Sequence, residues 1–225
     1  MIYVTGDTHG TIDYGKLGMR KFLDQKYLSK GDYLIICGDW GGVWYGTYKD
    51  NYLIDWYNDK PFTTLFVDGN HENHVAIAKY PEKYFFGGKV NVIADSVYHL
   101  KRGEIYSIQD HNFFTMGGAV STDKEYRTEG KSWWPEELPT DTEIKYAKQN
   151  IADHDYNIDY IITHAAPTKI QSLISNYDKP NRLTNFFSWI DNTVDYSHWY
   201  FGHYHKDIRL DERHTCLYNM IERIV

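Results

Sequence analysis

The sequence predicts an α/β fold in which two β-sheets pack together and are flanked by helices, and three observations carry that expectation. Apolar strand-like runs alternate with helix-length segments in both halves of the chain. From Lys89 to Met116, by contrast, short strands follow one another without a helix. A chain of 225 residues, 42% hydrophobic and 17% aromatic, is long enough for one substantial core. No low-complexity tract, fixed-period repeat or Pro/Gly/Ser linker divides it, so residues 1–225 read as a single domain.

Met1–Thr5, Tyr33–Cys37 and Phe62–Val67 are rich in β-branched or aromatic residues and read as strands. Between them, Gly15–Ser29 and Tyr48–Asn58 have the length of helices. After the helix-free run comes a helix over Thr140–Ala152, opened by the capping box Thr140-x-x-Glu143. Asp159–Thr163 and Ser197–Phe201 are two further apolar strands, and another strand pair lies between Asp207 and Met220. No basic segment followed by an apolar stretch stands before the first strand, so no Sec-type signal is expected. The longest apolar runs, such as Tyr33–Cys37, fall far short of the roughly 20 residues of a membrane-spanning helix.

Twenty-four basic residues against 31 acidic ones leave a formal charge of −7. Non-specific adhesion to nucleic acid is largely neutralisation of phosphates, so this balance argues against it while leaving room for a phosphate-bearing substrate held through metal ions. Cys37 and Cys216 both lie in apolar strand-like runs and read as buried small hydrophobes, not a disulfide. A reducing cytoplasm fits, and a cysteine-based metal site is excluded.

The same event follows each of the five strands: a Gly, Asp, Asn or His able to bend the chain or ligate a metal. In order these are Gly6-Asp7-Thr8-His9, Gly38-Asp39, Gly69-Asn70-His71-Glu72, Thr163-His164 and Gly202-His203-Tyr204-His205. Ligand sites in α/β sheets form outside the carboxyl ends of the strands, so five such ends can converge although they span most of the chain. Imidazole, carboxylate and amide oxygen suit manganese, iron or zinc, and an Asp can bridge two ions with its two oxygens. The glycines before Asp7, Asp39, Asn70 and His203 let the backbone turn sharply at the sheet edge.

This set of motifs, from Asp7 to His205, resembles the calcineurin-like metallophosphoesterases. The resemblance implies a four-layer αββα sandwich and a two-metal hydrolase of phosphoester bonds, with manganese foremost and iron or zinc as alternatives. Carried over by position, Asp7, His9 and His205 would hold the first metal, Asn70, His164 and His203 the second, and Asp39 would bridge them. His71 would stand free of both ions beside the scissile phosphate. In the implied mechanism the two ions lower the pKa of a bridging water that attacks phosphorus, Asn70 and Arg127 stabilise the equatorial oxygens, and His71 protonates the departing alkoxide.

One departure matters. Many family members read Gly-Asp-x-x-Asp, whose second Asp orients the catalytic His, whereas this chain reads Gly38-Asp39-Trp40-Gly41-Gly42. Asp68 is a candidate substitute, beside the plain alternative of a strand-end Asp capping its own turn. The departure also sets aside the protein Ser/Thr phosphatases, which carry Asp-Arg-Gly there. The long loop from Gly117 to Pro135 contains Arg127, able to clamp a phosphate, and Trp133 and Trp134, able to stack on a base, beside the plain alternative of a solvated Arg and two tryptophans folding the loop onto the body. That loop favours a phosphodiester or nucleotide substrate over a phosphomonoester. His74, His99, His111, His154, His198 and His214 read as surface or hydrogen-bonded histidines, Trp40 and Trp44 as site wall or core, and Lys101–Glu104 as a surface hairpin turn. A rival class is a binding scaffold of the same fold, such as the one in the retromer complex, which lacks the catalytic His; here His71 and every ligand position are filled. Oligomeric state is not legible in the sequence.

Overall fold

The computed structural model describes residues 1–176 and 178–225. In chain order its elements are β1 (Ile2–Thr5), β2 (Tyr33–Ile36), α1 (Asn51–Asn58), β3 (Thr63–Phe66), α2 (His74–Ile77), β4 (Glu82–Phe85), β5 (Gly88–Ala94), β6 (Val97–Leu100), β7 (Ile105–Ile108), β8 (His111–Met116), α3 (Asp141–Asp153), β9 (Asn157–Thr163), α4 (Thr168–Ile174), α5 (Arg182–Thr193), β10 (Asp195–Phe201), β11 (Ile208–Arg209), β12 (His214–Cys216) and β13 (Ile221–Arg223). One sheet has the order β13-β1-β2-β3-β6-β5-β4 and the other β11-β12-β10-β9-β8-β7. Both are mixed. β1, β2, β3 and β6 run parallel, as do β8, β9, β10 and β12, with antiparallel strands at the edges.

Strand periodicity builds the layers. Ile2 and Val4 face the second sheet while Tyr3 faces outward; Ile35 and Cys37 face inward while Leu34 and Ile36 face outward. On the second sheet Phe113, Ile162 and Tyr200 point into the space between the sheets, and Phe114, Ile161 and Trp199 point to the far side. Three apolar clusters result. One lies between the sheets, one under α1 and α2, and one under α3 and α5, which is the packing of a four-layer αββα sandwich. No helix among the described residues is long and apolar enough to cross a membrane.

Two local expectations fail. Gly15–Ser29 is not a helix; it forms two short 3₁₀ turns, Tyr14–Leu17 and Leu23–Tyr27, separated at Gly18, whose extended ψ of 151° ends the first. Two glycines weaken helix formation there, and the Lys16 side chain is drawn inward to backbone carbonyls. Nor is Lys101–Glu104 a surface hairpin: it joins β6 of one sheet to β7 of the other, with Glu104 buried and Arg102 turned in toward Asp68. The capping box of α3 forms as expected, Glu143 N donating to Thr140 Oγ1 at 3.2 Å and Thr140 N to Glu143 Oε2 at 2.7 Å.

Candidate metal centre

Loops leaving β1, β2, β3, β9 and β10 meet at one edge of the two sheets, around the fully buried carboxylates of Asp7 and Asp39. Asp7 is held by the loop after β10: His203 N donates to its Oδ1 at 3.0 Å, and His205 Nε2 lies 3.3 Å from its Oδ2. Asp39 faces two ways. Its Oδ1 accepts from His71 N at 2.7 Å and lies 3.4 Å from His164 Nε2, whereas its Oδ2 lies 3.4 Å from His9 Nε2. Such close approach excludes side chains from two neighbours: a Cβ at Gly69 would fall on Asp39 Oδ1, and one at Gly202 on Asp7 Oδ1.

The tautomers follow from the outer partners. His164 Nδ1 lies 2.7 Å from the Cys37 carbonyl, to which it donates, so Nε2 is the nitrogen turned toward Asp39, bare in the neutral ring and a donor in the protonated one. Asn70 donates from Nδ2 to Ser121 Oγ at 3.1 Å, which leaves its Oδ1 3.1 Å from that same Nε2. His9 pairs through Nδ1 with Asp13 Oδ2 at 2.7 Å, turning its Nε2 to Asp39 Oδ2 and, at 3.9 Å, to Asp7 Oδ2. Carboxylate, amide oxygen and imidazole lone pairs thus face one another with no side-chain ammonium or guanidinium among them.

That arrangement demands a cation, or protons in its place, and the electrostatics say the same. Burial opposes charge on His164, yet Asp39 and Asp7 outweigh it and push the ring up to about 10. Burial likewise opposes charge on Asp39, and His164 overcomes it, holding the carboxyl well below its ordinary range. Burial pushes His203 down to about 4, and His164 adds to the effect. Among the described residues two groups have donor atoms all within 4.8 Å of one another, Asp7/His9/His205 and Asp7/Asp39/His164, so the residues present fit metal ions. Asp7 belongs to both groups, where the sequence singled out Asp39 as shared. His203 stands beside the second group, its ring centroid 5.0 Å from that of His164. Strain concentrates here too: His9, Asp39, His203 and His205 all have positive φ, 43° to 70°, a conformation that costs a non-glycine residue on the order of 1 kcal/mol or more.

His71 sits at the rim, its ring centroid 5.7 Å from that of His9. Arg127 reaches it: Nη2 donates to His71 Nε2 at 3.3 Å while also holding Asp123 Oδ2 at 2.7 Å, and Nη1 donates to Ser132 O at 3.0 Å. Burial lowers the pKa of His71, and Arg127 lowers it further against the pull of Asp39. Asp68 does not fill the orienting role considered for it. Arg102 binds it through two nitrogens, and His99 Nε2 at 3.2 Å and His74 Nδ1 at 3.6 Å surround the rest of the carboxylate. Nor could Asp stand at position 42, since a Cβ on Gly42 would strike the buried indole of Trp40, which stacks on Phe66 at 4.3 Å. Trp40 is therefore core. Trp44 lines a cavity of about 380 Å³ that borders His9, His71 and Arg127. Trp134 is buried edge-on against Trp44 at 5.3 Å.

Some contributors have no sequence signature of their own. Lys16, almost wholly buried, donates from Nζ to the carbonyls of Gly6 at 2.9 Å and Asp7 at 2.8 Å, and to that of Tyr218, and burial pushes it down to about 8. Glu72, fully buried, accepts from Trp40 N at 2.6 Å and so ties the loop after β3 to the loop after β2. Glu72 lay inside a recognised motif; Lys16, Asp13, Ser121 and Asp123 could be found only through the fold.

A model of the calcineurin-like phosphoesterase family matches residues 1–207. No curated protein matches. Twelve solved chains do. One is the "Putative 5'-Nucleotidase" from Staphylococcus aureus in complex with alpha-ketoglutarate, at 15% identity and a TM-score of 0.49 over 96% of this chain. The chain spans about half the length of that structure, 48% of it.

Proposed function

The chain belongs to the calcineurin-like phosphoesterase family of metal-dependent phosphoester hydrolases, and from that premise we propose that it hydrolyses a phosphodiester or nucleotide with two divalent ions, manganese foremost and iron or zinc as alternatives. Asp7, His9 and His205 would hold one ion and Asn70, His164 and His203 the other, with Asp39 shared by both. The single observation that carries this reading is the convergence of the Asn70 and Asp39 oxygens on His164 Nε2, at 3.1 and 3.4 Å, with no lysine or arginine side chain among them. Bound ions supply the Lewis acidity that activates water and offsets charge on the phosphoryl oxygens.

The chain's own residues do the rest. Asp39 aims one oxygen at each half of the centre, and Lys16, donating to the Gly6 and Asp7 carbonyls, holds the loop after β1 in place. Arg127 supplies a guanidinium for the phosphoryl group, preset by Asp123 and Ser132. His71 Nε2 accepts from that guanidinium; a phosphate that takes Arg127 for itself would free the nitrogen to take a proton from solvent water and pass it to the leaving oxygen. Both cysteines are buried and unpaired, which supports a reducing, cytoplasmic setting. β13 pairs with β1, the strand that leads to Asp7, and so supports reading residues 1–225 as one domain.

The test is a hydrolysis screen with manganese, comparing bis-p-nitrophenyl phosphate, p-nitrophenyl phosphate and nucleotides. The diester is expected to be cleaved with the higher kcat/KM; the reverse order makes the protein a phosphomonoesterase. No hydrolysis by fully metal-loaded protein returns it to the scaffold class.

A further inference from the structure

Beside His9, His71 and Arg127 the 380 Å³ cavity extends to Ile12, Trp44, Tyr45 and Tyr52, a volume within the range of small-molecule sites. Its walls leave apolar surface in water: Ile12, Tyr45 and Tyr52 are 80%, 60% and 64% exposed, although each borders a concave site and not a flat face. The walls are also held in place. Asp50 spends its carboxylate on the backbone amides of Trp44, Tyr45 and Gly46, at 3.2, 3.0 and 2.7 Å, which fixes the loop carrying two of the aromatics. Gly10, Gly41 and Gly42 contribute backbone to the lining between the aromatics and His71.

We propose that this cavity seats the nucleoside of the substrate, its base stacked among Trp44, Tyr45 and Tyr52 and its phosphoryl group held at Arg127. The assignment rests on the phosphoesterase reading above. If His71 delivers a proton to the leaving oxygen, the group on that oxygen lies on the His71 side of the centre, and that side is the cavity. Aromatic walls accept any flat ring, but the lining is mixed. The Thr11 hydroxyl, the Lys49 ammonium and the tyrosine hydroxyls offer partners to the ring nitrogens, exocyclic groups and sugar of a nucleoside, whereas a phenyl group would leave them unused.

Nucleosides carry no phosphate and are not turned over, so their binding can be measured on the manganese-loaded protein by titration calorimetry. At least one of adenosine, guanosine, cytidine and uridine is expected to bind saturably, more tightly than tyrosine amide. The double variant Tyr45→Ala/Tyr52→Ala, which removes exposed side chains only, is expected to bind it about tenfold or more weakly. Failure of all four to bind, equal binding by the double variant, or tighter binding of tyrosine amide would each overturn the assignment. The same preparation is assayed on bis-p-nitrophenyl phosphate. Protein that cleaves it but ignores nucleosides loses the cavity assignment and keeps the phosphoesterase reading; protein that binds nucleosides with the stated loss but cleaves nothing keeps the first and loses the second.

Discussion

His71 and Arg127 form a pair whose geometry makes a kinetic claim. A guanidinium donating to Nε2 keeps the imidazole neutral and oriented, and the proposed proton transfer would begin only once a phosphate draws Arg127 away. His71→Asn is therefore expected to cost about 10²–10⁴-fold in kcat on an alkyl phosphoester, where the departing oxygen needs a proton. On a p-nitrophenyl ester, whose leaving group departs as a stable phenolate, the loss is expected to be much smaller, with metal content unchanged. Equal losses on both esters, or a lost metal, would make His71 a ligand or a structural residue. The position of His71 at the site was legible from its place after Asn70, but its contact with Arg127 was not. Asp68, three residues upstream, was the visible candidate, and only the fold shows that Arg102 and His99 already occupy it.

Strands carried the readable part of the pattern, because their alternation and the polar residues after them sit within a few positions of each other. Each of the five ligand-bearing strands appears within two residues of its expected bounds. The segment Gly15–Ser29 was unreadable for a physical reason: helix length without helix chemistry, with Gly15 and Gly18 breaking it and Lys16 buried under the β1 loop. α5 was overlooked although its signal is present, Asn181 capping a face of Leu183, Phe186, Phe187 and Ile190 at helical spacing. The Trp40–Gly42 turn shows how one element excludes a family residue. Gly42→Asp is expected to displace the Trp40 ring from Phe66 and lower stability by about 1–3 kcal/mol in chemical denaturation, without restoring an orienting acid to His71. A variant as stable as the parent would show that the turn has room the structure denies it.

Across the molecule, three apolar layers hold two sheets so that loops from distant parts of the chain meet at one edge, and that edge stays polar inside. The buried polar cluster around Asp68 makes the fold sensitive to acid. Burial holds His74 neutral and pushes it down to about 4, against an ordinary 6.5 in the unfolded chain. Between those values the unfolded chain binds the proton and the folded one does not, so stability falls as pH drops from about 6.5 to 4, at about 1.4 kcal/mol per unit and on the order of 3 kcal/mol in all. His74→Gln is expected to flatten that slope in urea titrations across the window; an unchanged slope would remove His74 as its source. The convergence of ligand residues was legible in the sequence, whereas the mutual aim of their lone pairs was not, since it depends on Cys37, Asp13 and Ser121 as outer partners. Anomalous diffraction at the manganese edge from crystals soaked in that metal tests the centre most directly. Two peaks roughly 3.5–4 Å apart are expected, one beside Asp7, His9 and His205, the other beside Asn70, His164 and His203, with Asp39 between them. No peak at this edge of the sheets, or peaks remote from Asp39, would contradict the account.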